Sequence, residues 1–282
     1  MATFAFTQLD VFASGPLTGN PLAVVHEADA LTDEQMRAFA RWTGLSETAF
    51  LLAPTDPGAD YRVRIFTPGR ELPFAGHPTL GSAAAWLGAG VRPGQPGRVV
   101  QECGAGLVPV RVDGDRLAFA APPLVRDEPL DGPLLARVTA ALGLQPADVV
   151  AARWLVNGPE WVGVRLADAD RVLSVELDPA GVAGLDLGLV GPHPPGGEVQ
   201  LEVRALLVGD GPGRAVTEDP VTGSLNAGLA QWLIGTGAVP ARYVAAQGQR
   251  VGAAGRVHVE QVEGTTWVGG QVRRVVTGSV EL

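Results

Sequence analysis

An α+β fold of two similar halves is predicted for this sequence by three observations. The first is a repeat. Glu71-Leu-Pro-Phe-Ala-Gly-His-Pro-Thr-Leu-Gly81 and Glu218-Asp-Pro-Val-Thr-Gly-Ser-Leu-Asn-Ala-Gly228 share the skeleton E-x-P-x-x-G-x-x-x-x-G, and Glu71, Pro73, Gly76, Gly81 and Ala83 map onto Glu218, Pro220, Gly223, Gly228 and Ala230 at one offset of 147 residues. An offset of about half the chain points to duplication. The second is the dominance of short alternating segments, with one conspicuous helical pattern per half, which suggests a curved sheet wrapped around a helix, twice. The third is composition: 282 residues at 46% hydrophobic content can fill two cores, and 38 glycines and 23 prolines supply many turns.

Taken in order, Thr3 to Phe12 alternates as a half-buried strand, and Ser14 to Asn20 is a turn-rich loop into the apolar run Pro21 to Val25. Thr32-Asp-Glu-Gln35 reads as a capping box for a helix through Met36, Phe39 and Ala40, stopped by Gly44. Glu47 interrupts the apolar signal of Leu45 to Leu52, and Tyr61 to Thr67 alternates cleanly into the first repeated motif. The helix after that motif has Leu80, Ala83, Ala84 and Leu87 at helical spacing, and Pro78 sits where a missing N–H costs nothing. Leu107 to Val112 and Arg116 to Ala120 flank Asp113-Gly114, a hairpin signal.

The Pro-rich segment Ala121 to Pro133 is the expected boundary, giving lobes 1–122 and 123–282, with the last strand free to cross back to the N-terminal lobe. Beyond it come a helix near Leu134 to Leu142, strands at Arg153 to Asn157 and Trp161 to Leu166, and a helical stretch near Asp178 to Leu187. Pro192 to Gly197 is a loop and Val199 to Val208 a strand. After the second motif, Gln247-Gly248 and Arg256 to Glu260 echo Cys103-Gly104 and the first hairpin, and Trp267 to Val276 reads as more sheet.

Several functions are excluded or disfavoured by inventory. A net charge of −9 offers no basic stripe for nucleic acid. All 21 basic residues are arginine, so neither a Schiff-base lysine nor a Walker-type phosphate loop is available. Cys103 is the only cysteine, which removes intramolecular disulfides and cysteine-based zinc sites. No histidine pair has metal-ligand spacing, so no metal is expected. Gly104-Ala-Gly106 lacks the third glycine of a dinucleotide fingerprint and precedes a hairpin. The N-terminus has no basic n-region and the chain no apolar run of 18 residues; the expectation is a cytoplasmic protein without a membrane span.

In each copy of the motif a helix starts at a glycine whose lack of a Cβ lets a ligand approach backbone N–H groups. Two such starts facing each other across a cleft between the halves would hold a carboxylate and stabilise negative charge developing beside it. That is suited to proton transfer at carbon.

Asp10-Val-Phe12, Gly19 to Val25, Leu45 to Phe50, Arg64-Ile-Phe-Thr-Pro68, Glu71 to Gly81 and Glu218 to Ser224 together resemble the phenazine-biosynthesis PhzF-like isomerases, in that family's order over most of the chain. The resemblance implies the diaminopimelate epimerase-like fold: two pseudo-symmetric lobes, each a barrel-like, mostly antiparallel sheet around a central helix, usually as a homodimer without metal or organic cofactor. In related epimerases a catalytic cysteine opens each central helix. Gly76 and Gly223 take those places here, so a two-thiol racemase mechanism is unavailable. The resemblance implies instead that Glu47 is the catalytic carboxylate, that His77 and Asp219 accompany it, and that Ser224 is a site residue.

Local chemistry leaves alternatives open beside these roles. The apolar neighbours Ala49, Phe50, Leu51 and Leu52 would desolvate Glu47 and raise its pKa, but a lone Glu at a strand start is commonly solvated or capping. His77 at a helix mouth would be neutral and able to donate to a carbonyl or relay a proton; the plainer role is to tie down a loop. Asp219 could anchor a substrate amine or hydroxyl, orient His77, or cap. Thr222, Gly223 and Ser224, with Gly76 and the Gly19-Asn20 loop, could form the carboxylate cradle, though Gly19 and Asn20 also suit an ordinary turn. Glu71 and Glu218, being repeated, fit turn geometry better than chemistry. The function expected is a cofactor-independent isomerase of a small carboxylate; the alternatives are a non-catalytic carboxylate-binding protein and, against the missing thiols, an amino-acid epimerase.

Overall fold

The architecture was taken from a computed structural model, which describes residues 2–209 and 216–282. The chain forms two compact units, Met1–Ala120 together with Gly269–Leu282, and Ala121–Val268.

In the first unit, β1 (Thr3–Val11), β2 (Asn20–Val25), α1 (Asp33–Thr43), β3 (Thr48–Leu52), β4 (Tyr61–Phe66), β5 (Glu71–Leu72), α2 (Gly76–Gly88), β6 (Arg98–Cys103), β7 (Gly106–Asp113) and β8 (Arg116–Ala120) follow in order. Neighbours run β1-β2-β3-β4-β6-β7-β8, then the last strand of the chain, Thr265–Glu281, which returns to pair antiparallel with β1. Eight strands therefore close into a barrel, leaving no exposed ladder along most of the ring. The β2/β3 and β4/β6 pairs are parallel.

α2 runs through this barrel and is buried on nearly every side from Gly76 to Ala85. Small residues make that possible: a Cβ at Gly81 would lie 2.4 Å from Leu22 Cδ2. α1, by contrast, is amphipathic and packs outside. Thr32 and Gln35 form the expected capping box, Gly44 ends the helix at φ 65°, and Met36, Phe39 and Ala40 pack with Phe4, Val25, Phe50 and Phe66. The β7–β8 turn places Gly114 at φ 61°.

The second unit contains α3 (Gly132–Ala141), β9 (Val149–Val156), β10 (Glu160–Leu166), α4 (Ala169–Ser174), β11 (Asp186–Pro192), β12 (Leu201–Val208), β13 (Val216–Asp219), α5 (Gly223–Gly235), β14 (Arg242–Gln247), β15 (Gly255–Val262) and the first residues of the last strand, β16 (Thr265–Glu281). The order is β16-β15-β14-β12-β11-β10-β9, with β10/β11 and β12/β14 parallel, so the first unit's pattern of two parallel pairs recurs. The Pro-rich segment expected as a boundary is itself part of this sheet. Val125 N donates to Val156 O at 2.7 Å, Val156 N to Arg126 O at 3.0 Å, and Ala121 N to Thr266 O at 2.8 Å. α5 is buried on nearly all sides, and a Cβ at Gly188 would meet Leu225 Cδ1 at 2.2 Å.

One expected element is corrected. Asp178 to Leu187 is not a helix: Pro179, Gly181 and Gly184 limit it to one 3-10 turn, Pro179–Gly181, after which β11 begins. The helix lies earlier, as α4, where Asp168 caps by accepting from Arg171 N at 2.8 Å. β16 also runs further than the Trp267 to Val276 pattern suggested. Among the described residues no helix is long and apolar enough to cross a membrane.

Candidate functional site: two glycine elbows

The first elbow begins where β4 turns into β5. Arg64 Nε and Nη2 both donate to Glu71 at 2.7 Å, a bidentate pair that holds the two strands at the turn. Pro73-Phe74-Ala75 then leads into α2. Ala75, the N-cap, provides no side-chain cap, and Pro78 has no N–H, so the opening turn presents its amides at Gly76 and His77. Thr79 Oγ1 donates to Ala75 O at 2.9 Å and accepts from Gln101 Nε2 at 3.0 Å, while Tyr61 OH donates to Gln101 Oε1. Gly104 lies flat against the motif proline, where a Cβ would be 2.8 Å from Pro73 Cα.

His77 is 4% exposed, and burial lowers its pKa to about 3, so the ring is neutral at ordinary pH. Its Nδ1 faces Asn20 Nδ2 and its Nε2 faces Glu47 Oε2, each at 3.5 Å. An amide NH2 can only donate, so Nδ1 accepts and the neutral ring carries its hydrogen on Nε2, on the side of Glu47 but without a hydrogen bond between the two groups. Glu47 lies in the turn before β3, not inside the strand, with its side chain 16% exposed.

Asn20 is placed by a buried anion. Asp10 accepts from Thr18 N at 2.9 Å and Gly19 N at 2.8 Å, folding the Ser14 to Gly19 loop onto β1. A Cβ at Gly19 would sit 2.2 Å from Val11 O, so this glycine is required by backbone approach and leaves Asn20 facing His77. Glu47, His77, Asn20, Gly19 and Gly76 thus belong to one assembly in the first unit.

The second elbow repeats the scaffold with different chemistry. Arg204 on β12 pairs with Glu218 on β13, its Nη2 at 2.8 Å, and donates Nη1 to the carbonyls of Val172 and Val175 at 3.1 and 2.7 Å. Both repeated glutamates are therefore scaffold residues. Gly248 touches the motif proline as Gly104 does, its Cβ position 2.5 Å from Pro220 O.

Gln247, 1% exposed, dictates the polarity of this elbow. Its Oε1 accepts from Thr222 N and Asn226 Nδ2, so its Nε2 donates, to Asp219 O at 3.1 Å and Thr222 Oγ1 at 2.9 Å. Thr222 Oγ1 then donates to Asp219 Oδ2 at 2.6 Å, which fixes the orientation of that carboxyl group. α5 starts at Gly223 with no side-chain cap. Ser224, in its first turn, accepts from Trp161 Nε1 at its Oγ (3.1 Å) and from Asn157 Nδ2 at its carbonyl (2.8 Å). Asp219, Thr222, Gly223 and Ser224 thus form one assembly in the second unit.

The sequence pattern gave no site role to Gln101, Asn157, Trp161, Asn226 or Gln247, and quoted Asp10 only as part of the Asp10-Val-Phe12 segment. Gln247 precedes the glycine matched to Gly104 and Asn226 lies within the second motif, so both were within reach; Gln101, Asn157 and Trp161 lie outside the motifs in strand-like segments. Cys103 stands at the β6–β7 turn outside both elbows, with its thiol pKa raised by burial. Among the described residues no three His, Cys, Asp or Glu side chains are grouped to hold a metal ion.

Comparison with known proteins bears on the family and the fold. Residues 9–278 match the PhzC-PhzF family, described as phenazine biosynthesis-like protein. An uncharacterized isomerase of Pasteurella multocida is 32% identical over 99% of this chain and 95% of its own. The trans-2,3-dihydro-3-hydroxyanthranilate isomerase of Pseudomonas aeruginosa is 40% identical, over 61% of each chain. A solved PhzF-family structure from Enterococcus faecalis superposes with a TM-score of 0.80 at 23% identity, covering all of both chains. The protein described above therefore belongs to the PhzC-PhzF family, has the diaminopimelate epimerase-like fold, and is an isomerase.

Proposed function

We propose that this isomerase moves a proton between carbons of a small cyclic carboxylate, with Glu47 as the acid–base group. The observation that carries the reading is the Glu47–His77 contact, a carboxylate facing a neutral, buried imidazole at the start of α2. An imidazolium would hold the carboxylate ionised and make it a weaker base; the neutral ring orients it without that cost. In the reaction so written, Glu47 removes a proton from one carbon and returns it to another, breaking one C–H bond and forming one. No electrons leave the substrate.

The remaining roles follow from the two elbows. Helix amides at Gly76, and at Gly223 and Ser224, suit carboxylate oxygens and the negative charge that develops as the proton leaves. Asp219, oriented by its bond from Thr222, suits a substrate amine or hydroxyl. The substrate named for the Pseudomonas aeruginosa relative carries all three groups and is the first compound to test.

The test is incubation with trans-2,3-dihydro-3-hydroxyanthranilate in deuterated water, with mass spectrometry of the recovered carboxylate. Deuterium should enter at carbon, and Glu47→Gln should slow entry by about 10³-fold with unchanged thermal unfolding. Full exchange in that variant would remove Glu47 from the mechanism. Tight binding with neither exchange nor turnover would make the protein a binder of carboxylates.

A further inference from the structure

We propose that Trp161 is a positioning residue that commits the Ser224 hydroxyl to donate its hydrogen to a carboxylate at the start of α5. The inference deepens the isomerase reading and rests on it for the identity of the anion.

A serine hydroxyl both donates and accepts, so its place in a helix's first turn leaves its polarity open. An indole N–H can only donate. With Trp161 Nε1 at 3.1 Å, Ser224 Oγ is the acceptor in that bond, and its hydrogen is directed elsewhere. Among the described residues this is the only hydrogen bond Ser224 Oγ makes. The side chain is 7% exposed and Trp161 3%, so the bond sits where water competes little.

One hairpin builds this arrangement. β9 and β10 are joined through Gly158 at φ 129°, and Asn157 just before it and Trp161, the second residue of β10, both bind Ser224. Asn157 fixes the backbone carbonyl and Trp161 the hydroxyl, so the serine is gripped at two points. A carboxylate accepting from Ser224 would polarise the hydroxyl and strengthen the indole bond in turn.

The experiment is a double-mutant cycle of Trp161→Phe and Ser224→Ala, read by kcat/KM with trans-2,3-dihydro-3-hydroxyanthranilate. It is paired with nitrogen-15 NMR of the indole N–H during titration with anthranilate. W161F should lower kcat/KM about five- to tenfold, mostly through KM, and by less than twofold in the S224A background. The Trp161 resonance, identified by its loss in W161F, should move downfield with anthranilate, and not in S224A. Turnover by the wild type with W161F unchanged, or with equal losses in both backgrounds, overturns the inference and leaves the isomerase reading standing. A Ser224-dependent shift without turnover does the reverse. Neither binding nor turnover removes both.

Discussion

The elbow before α2 and the elbow before α5 share one pattern and differ in what they bury. Each is held by an arginine–glutamate pair, but side-chain exposure is 24% and 35% for Arg64 and Glu71 against 6% and 9% for Arg204 and Glu218. Each has a buried glutamine behind the first helical turn; Gln101 ties down Thr79, while Gln247 serves Asp219, Thr222 and Asn226. At matched positions the residues diverge, with Leu72 against Asp219, Ala75 against Thr222 and His77 against Ser224. The repeated residues build the turn, and the unrepeated ones give each elbow its own polar groups.

The largest expected contrast is in the two ion pairs. Arg204→Met leaves Glu218 buried without its cation and should cost about 3–5 kcal/mol, whereas Arg64→Met should cost about 1 kcal/mol or less. Urea unfolding of both variants checks this. Equal losses would break the comparison, and a recovery of stability when Glu218→Met is added to Arg204→Met would sharpen it. Next in size, Gln247→Leu should destabilise by about 3 kcal/mol and Gln101→Leu by about half that, since more buried groups lose partners in the second elbow. Thermal unfolding of the pair decides; a larger loss in Gln101→Leu would mean the first elbow is the more dependent one.

The smallest effect per step is a pH slope. His77 titrates near 3 in the folded chain and near its ordinary value of 6.5 when unfolded, so between these limits the unfolded state binds more protons. Its contribution is complete above about pH 6.5 and is lost on acidification, by about 1.4 kcal/mol per pH unit. His77→Gln should flatten the fall in stability between pH 6 and pH 4 by roughly that slope. An equally steep fall in the variant would place the titrating group elsewhere. Nothing comparable is expected from Ser224 on the other side.

Much of the site could be read in advance where it coincides with the repeat. Gly76, His77, Asp219, Thr222, Gly223 and Ser224 all lie within or beside the two copies, so one alignment of the chain with itself finds them. Glu47 came only through its motif, because a carboxylate in a turn before an apolar strand has no periodic signature. Trp161 and Asn157 read as strand residues, since an indole buried for its area and one buried for its N–H look alike in sequence. The helix expected at Asp178 to Leu187 does not form because Pro179, Gly181 and Gly184 break it despite the helical spacing of its apolar residues.

The amino-acid sequence by itself determined the duplicated glycine turns, the two helices they start, the alternating strands that wrap them and the exclusion of lysine or two-thiol chemistry. These follow from local rules of period, breaker and inventory. Only the tertiary structure decided that His77 faces Glu47, that Gln247 sets the direction of the Thr222 hydroxyl toward Asp219, and that Trp161 reaches Ser224. Those depend on burial and on donors brought together from 21 to 63 positions apart. Hydrogen-bond direction is a property of neighbours in space, and chain order alone does not record it.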